Sequence, residues 1–147
     1  MKLANKIIYK LMSFVESNSY DIILPNFCYK SAEADLFKMN ERGYITEYEI
    51  KISRSDFFAD FKKGKHELMK NGVSVCNRFY FVVPDGLIKK EEIPEYSGLI
   101  YYNEKGNWFI TVKNARIIHK NTRMNESELK FMLKKVTFRE TIWRHKV

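Results

Sequence analysis

Apolar positions along the chain change period several times, and each period predicts a different element. Leu3, Ile7, Ile8, Leu11, Met12 and Val15 recur at helical spacing, so residues 3–16 are expected to form an amphipathic helix. Lys2, Lys6 and Lys10 lie together on another face of it, and Glu16 sits at its end. Ser17-Asn18-Ser19 stops the helix, and residues 21–25 read as a short extended segment closed by Pro25. Residues 34–39 predict a short strand. Asn40-Glu41-Arg42-Gly43 then supplies turn chemistry, with the glycine available for positive φ. Residues 44–52 are the clearest strand. Strand alternation puts Ile45, Glu47, Glu49 and Lys51 on one side and Tyr48, Ile50 and Ile52 on the other, which is taken as the core side of a half-buried strand.

Ser53-x-x-Asp56 has the form of a capped helix start, with Asp56 in the first turn and Phe57, Phe58 and Phe61 expected to dock on the sheet. Lys62-Lys63-Gly64-Lys65-His66 interrupts that helix before a further turn up to Asn71. Residues 77–83 are a continuous apolar run ended by Pro84, as in a strand buried on both faces. Residues 88–96 read as a connection. Residues 98–102 and 108–112 form a hairpin around a turn at 103–106. Residues 125–144 predict a last helix whose core face is Leu129, Met132, Leu133 and Val136. No repeat or linker divides residues 1–147, which read as a single domain.

Composition narrows the class. A chain of 147 residues can bury a core without disulfide or metal staples, and 45% hydrophobic with 15% aromatic residues argues against disorder. The net charge of +8 points to an acidic partner, first of all nucleic acid. Residues 122–147 add to it, with Lys/Arg at 123, 130, 134, 135, 139, 144 and 146 against three Glu. Cys28 and Cys76 match no metal spacing and are expected to be reduced and mostly buried. The lysine-interrupted N-terminus is unlike a signal peptide, and no apolar run spans a membrane, so a cytoplasmic protein without a membrane partner is expected.

The chemistry concentrates where two strands meet. Asp35 lies on the first and Glu49-Ile50-Lys51 closes the second. The [Asp/Glu]-x-Lys pattern also occurs at Asp60-x-Lys62 and Glu128-x-Lys130, but those fall in predicted helices, where residues two apart do not face each other. On a strand, Glu49 and Lys51 share a face at roughly 7 Å between Cα atoms. Two carboxylates beside one ammonium can hold a hard cation against a phosphate, with the Ile50 carbonyl as a further oxygen. The plain alternative is a surface strand whose charges pair across the sheet, each pair contributing about 0.2–1 kcal/mol.

Glu33-Ala34-Asp35-Leu36, the run from Glu49-Ile50-Lys51-Ile52-Ser53-Arg54-Ser55-Asp56 to Asp60 and Lys62, and the strand from Asn77 to Pro84 together resemble the PD-(D/E)XK nuclease-like superfamily. More narrowly, they are similar to its MmcB-type DNA-repair branch and phage-borne relatives. The resemblance covers about residues 31–102. It implies an α/β (α+β) domain of restriction-endonuclease-like form, with a mixed central sheet flanked by helices, a Mg²⁺- or Mn²⁺-dependent nuclease site and a bacterial or phage-infected cytoplasm. Asp35, Glu49 and Lys51 take the catalytic positions. Where the family has Pro-Asp, this chain has Ala34-Asp35.

Other residues carry weaker expectations. Glu33 and Glu47 are candidates for an added metal ligand or a supporting acid, or are simply solvated. Asp56 reads first as a helix cap and Asp60 as a partner of Arg54 or Lys63, though both belong to the resembled pattern and could fix the site. Arg54, Lys62, Lys63 and Lys65 could grip phosphates or form a solvated helix end. His66, in a basic turn, is expected to be exposed. Phe131, Phe138 and Trp143 could stack on bases, but packing against the domain is the first expectation. The leading function is a metal-dependent nuclease acting on DNA, with homodimerisation open. The alternatives are a non-catalytic nucleic-acid-binding module on the same scaffold and a basic protein that docks an acidic one.

Overall fold

The apolar run before Pro84 becomes the centre of the molecule: residues 79–83 are all buried. A computed structural model describes residues 1–30, 32–122 and 125–145. In order, it shows α1 (Leu3–Val15), β1 (Ile22–Tyr29), β2 (Ala32–Met39), β3 (Ile45–Ile50), α2 (Arg54–Asp60) and α3 (Gly64–Lys70). Next come β4 (Arg78–Pro84), a 3-10 turn at Lys90–Glu92, β5 (Ser97–Asn103), β6 (Trp108–Lys113) and α4 (Glu126–His145). The six strands form one sheet in chain order. Pairing is antiparallel at β1–β2, β2–β3 and β5–β6, and parallel at β3–β4 and β4–β5. The result is a single α+β domain with a mixed sheet flanked by helices. Parallel neighbours need a crossover, and α2 with α3 supplies the one between β3 and β4.

Each face of the sheet has its own core. Ile7, Ile8, Leu11 and Val15 of α1 cover Leu36, Tyr48, Ile50, Val82 and Ile100. On the opposite face Phe57, Met69 and Met132, from α2, α3 and α4, pack with Phe37, Phe79, Phe81 and Val83. Two local devices fix this sheet. Gly43, at φ 84, closes the β2–β3 turn by donating to the Asn40 carbonyl at 3.0 Å. A Cβ at Gly98 would lie 2.3 Å from the Tyr80 ring and 2.7 Å from the Ala115 nitrogen, so only glycine lets β5 sit against both.

Alternation slips at Asp35. Leu36 joins the α1 core, yet Ala34, two residues earlier, joins the opposite one with Phe37 and Met39. Across the pair, Asn26 sits at φ 49 between the partnered positions Pro25↔Leu36 and Phe27↔Ala34. The break frees Asp35 from the ordinary in-or-out choice of a strand residue.

Several expectations need correction. Pro25 does not end β1, because an edge strand tolerates a missing N–H. Glu47 and Glu49 are only 3% and 4% exposed, so β3 is buried on both sides rather than half buried. Ile52 is exposed, since β3 stops at Ile50 and the chain turns into α2. Phe58 is also exposed, 5.3 Å under the Arg54 guanidinium, while Phe57 and Phe61 do dock. Cys28 is exposed and Cys76 buried, both unpaired.

The last helix departs most from its expected packing. Met132 and Val136 pack, but Leu129 and Leu133 are exposed, as are Phe131, Phe138 and Trp143. The helix rides on the β1 edge through polar contacts: Glu128 with Tyr29 and Lys30, Lys135 with the Cys28 carbonyl, Arg139 with the Pro25 carbonyl. Ser31, Arg123 and Lys146 lie outside the described residues.

Core and exposed helix face predict unequal costs for similar truncations. Phe81→Ala removes a fully buried ring and should cost about 3–5 kcal/mol in urea unfolding. Phe138→Ala should change stability by less than about 0.5 kcal/mol, its ring being two-thirds exposed. Equal costs would contradict this packing.

Candidate functional site

Where β2 stops pairing with β3, the backbone N–H of Ile50 loses its strand partner. The last paired residues are Leu36 and Tyr48. The Asp35 carboxylate takes over, accepting from Ile50 N at 2.8 Å, while on the other side Lys51 N donates to the Val82 carbonyl of β4 at 3.0 Å. The slipped strand, the acid and the start of Glu49-Ile50-Lys51 are thus one construction. Burial and then the charge of Glu49 push the Asp35 carboxyl above its usual range; the Ile50 amide, Lys51 and Lys65 offset part of this. The Asp35 carboxylate of β2 thus sits on the residue next to Glu49 in β3.

Glu49 is buried but well supplied with cations. Lys51 Nζ lies 3.2 Å and Lys63 Nζ 3.0 Å from Oε1, and Lys65 Nζ lies 3.0 Å from Oε2. Asp60, at the end of α2, is the second anion of the network. Its Oδ1 meets Lys51 at 2.9 Å and Lys63 at 2.8 Å, at ion-pair distance but without hydrogen-bond alignment. Its Oδ2 faces His66 Nε2 at 2.5 Å. Burial alone would raise Asp60, but bonds from His66, Lys63 and Lys51 outweigh it and hold the acid far below the carboxylate range. Burial also opposes the Lys51 charge. Asp60 and Glu49 reverse that and keep the ammonium above the usual lysine range.

The break between α2 and α3 is what brings the cations in. The chain turns at Lys62-Lys63-Gly64-Lys65, so Lys63 and Lys65 reach Glu49 from above while α3 tucks His66 beneath. His66 is 6% exposed, not solvated as its polar neighbours suggest, and its Nδ1 lies 2.7 Å from the Tyr96 hydroxyl. Asp60 pairs with Lys63 as expected but also with Lys51 and His66, and not with Arg54. Arg54 instead bonds Glu92 and the Leu87 carbonyl.

The remaining candidates divide. Asp56 is exposed, and its amide donates to Ser53 Oγ at 3.2 Å, the expected cap. Glu33 is exposed, its carbonyl accepting from Lys65 at 3.4 Å. Lys62 is exposed. Glu47 lies one strand repeat behind Glu49 in the interior, beside Cys76. Asn77 went unremarked as a structural residue. Its Oδ1 accepts from Ile45 N at 2.8 Å, and its amide donates to the His119 and Asn121 carbonyls, tying the segment after β6 to the start of β3.

Among the described residues no group of three or more His, Cys, Asp or Glu gathers around one point to hold a metal. The donors that do converge, Asp35 and Glu49, are hard carboxylate oxygens. They suit a Mg²⁺ or Mn²⁺ ion whose shell is completed by water and a substrate phosphate. Burial first and the Glu49 charge second raise Asp35, and a cation beside the two acids would oppose both.

Glu47 gives the site a measurable pH signature. Burial raises its carboxyl from 4.5 to about 7, with Lys65 opposing and Glu49 adding to the shift. The folded protein thus keeps a proton that the unfolded chain releases, so this stability is complete below about 4.5 and falls as pH rises to about 7. In EDTA, thermal unfolding followed from about pH 5 to pH 8 should show that decline, and Glu47→Gln should flatten it. Parallel curves would contradict the assignment.

Neither a protein-family model nor a curated protein sequence matches the chain. The fold is similar to that of a solved structure, the SPO1766 protein of unknown function from Silicibacter pomeroyi. The TM-score is 0.61 at 20% identity, over 95% of this chain and 84% of that one. At that identity the likeness is one of fold. No helix among the described residues is long and apolar enough to cross a membrane.

Proposed function

We propose that this chain is a metal-dependent nuclease that hydrolyses phosphodiester bonds in DNA, in repair or phage DNA processing. One observation carries the reading: the Asp35 carboxylate of β2 accepts from the Ile50 amide of β3 at 2.8 Å, between Glu49 and Lys51 in the chain, with the Lys51 ammonium 3.2 Å from Glu49. Asp35 and Glu49 would hold Mg²⁺ or Mn²⁺, with the Ile50 carbonyl as a further oxygen. When bound, such an ion polarises the scissile phosphate and acidifies a water.

The chain's own residues do the rest. Lys51, 12% exposed at its side chain, lies 3.2 Å from Glu49 and 2.9 Å from Asp60, which secures its charge, and it also lines a shallow pocket with Asp56, Asp60 and Lys63. It can orient a water or neutralise charge that builds on the phosphate oxygens. Lys63 and Lys65 are long, flexible cations already beside the acids. A phosphate entering the pocket would compete for them. With Lys62 they would hold the backbone of DNA, and Arg54 would join them at the cost of its Glu92 pair.

A second reading has its own support. Both Glu49 oxygens are occupied by lysines, a network that is satisfied without any metal. On this view the same scaffold binds nucleic acid without cutting it. Its binding would fall steeply with salt, and would ignore EDTA and Lys51→Ala.

Calorimetric titration with Mn²⁺ and Mg²⁺ beside a cleavage assay separates the two. The nuclease reading expects a micromolar-to-millimolar site in the wild type that is lost in Asp35→Asn. It also expects cleavage that falls at least about 100-fold in Lys51→Ala while the fold is kept. Double-stranded, single-stranded, branched and damaged DNA all left intact with either metal would end it.

A further inference from the structure

The half of the network that faces away from Asp35 is more elaborate than charge balance requires. Asp60 already has two ammoniums, Lys51 and Lys63, on one oxygen. Its other oxygen is reserved for His66, and His66 in turn for Tyr96. Tyr96 stands just before β5, 45 residues after Lys51 in the chain. The line therefore runs from one side of the central strand β4 to the other, beneath α3.

Its members have little freedom. The His66 ring stacks on Phe81 at 5.8 Å and 13°, meets Phe79 edge-on at 5.5 Å and lies 4.8 Å from Phe61. An ionised carboxylate only accepts, so Nε2 carries the hydrogen bonded to Asp60. In the neutral ring Nδ1 is then an acceptor, and the Tyr96 hydroxyl donates to it. With the ring neutral the hydrogen bonds run one way, from Tyr96 through His66 to Asp60; with it protonated Nδ1 donates to the Tyr96 hydroxyl instead, and in either form Nε2 donates to Asp60. The carboxylate plane of Asp60 is thereby fixed, and with it the place where Oδ1 can receive an ammonium.

We propose that Tyr96 and His66 are positioning residues that act through Asp60 to hold the Lys51 ammonium at the mouth of the site. The inference rests on the nuclease reading for what Lys51 does there, but not for where it is held. Lys51 has two carboxylate partners, Glu49 and Asp60. Whenever Glu49 is engaged by a ligand, Asp60 alone keeps Lys51 in place. Lys63 shares both carboxylates, at 3.0 and 2.8 Å, but it comes from the turn and its side chain is half exposed, whereas that of Lys51 is 12% exposed.

Two measurements on the full chain test this. The first is the rate of acetylation of individual lysines by acetic anhydride in metal-free protein, read by mass spectrometry. The second is the kcat and KM split for DNA cleavage with Mg²⁺. Tyr96→Phe removes one hydroxyl from a half-buried ring and should fold normally. It should speed acetylation of Lys51 severalfold, leave Lys65 unchanged, and lower kcat about 5- to 10-fold at constant KM. His66→Gln, which keeps a donor for Asp60, should retain more activity than His66→Leu. Lys51 acetylation at the wild-type rate in both Tyr96→Phe and His66→Leu would overturn the proposal. A wild type that cleaves no DNA sinks the nuclease reading, and the acetylation contrast then decides the positioning claim by itself.

Discussion

A carboxylate buried beside a sheet stays charged only if cations are carried to it, and most of the polar design of this protein serves that end. Glu49 and Asp60 are almost wholly enclosed, and the ammonium groups of Lys51, Lys63 and Lys65 are drawn in around them. Each cation comes from a different backbone event. Lys51 is the residue after β3, Lys63 belongs to the turn that ends α2, and Lys65 is in the first turn of α3. The break between two short helices, which looks like a defect in one longer helix, is the means of assembling the centre. Each acid has more than one partner, so losing a single lysine leaves neither carboxylate alone, whereas removing Glu49 or Asp60 would leave ammonium groups crowded without their counter-charge.

The same constraint explains why the surroundings are so aromatic. Phe57, Phe61, Phe79 and Phe81 pack edge to face beneath the charges and around His66. They exclude water, which strengthens each ion pair and raises the cost of leaving one unmade. Glu47, 3% exposed and in no ion pair among the described residues, shows the price of that dryness: burial pushes its carboxyl up to about 7.

Much of this was legible in the residues. The period of β3 placed Glu47, Glu49 and Lys51 on one face, Gly43 marked the turn from β2 into β3, and the apolar run before Pro84 announced the central strand. What could not be read were the partners across the fold. His66 sits in a string of lysines and glycine, which locally means solvent; its burial depends on Tyr96, 30 residues later, and on rings from β4. Asp60 had nearby cations in Arg54 and Lys63, so its bond to Lys51 was hidden by more local choices. The last helix shows the converse error. Its apolar period marks Leu129, Met132, Leu133 and Val136, but only Met132 and Val136 join the core, while Leu129 and Leu133 stay exposed. Periodicity reports which side of a helix is apolar, not how much of that side finds a neighbour.

In this structure the acids are satisfied by the protein's own lysines; the proposed function requires a second state in which the acids turn to a ligand and the lysines are released toward it. The most direct test is a crystal structure of the protein grown with Mn²⁺, using the anomalous signal to locate the ion. The account predicts a peak bounded by the Asp35 and Glu49 carboxylates, with Lys65 displaced from Glu49 and Lys51 still on Asp60. Saturating Mn²⁺ with no peak there, and all three lysines still on Glu49, would contradict it.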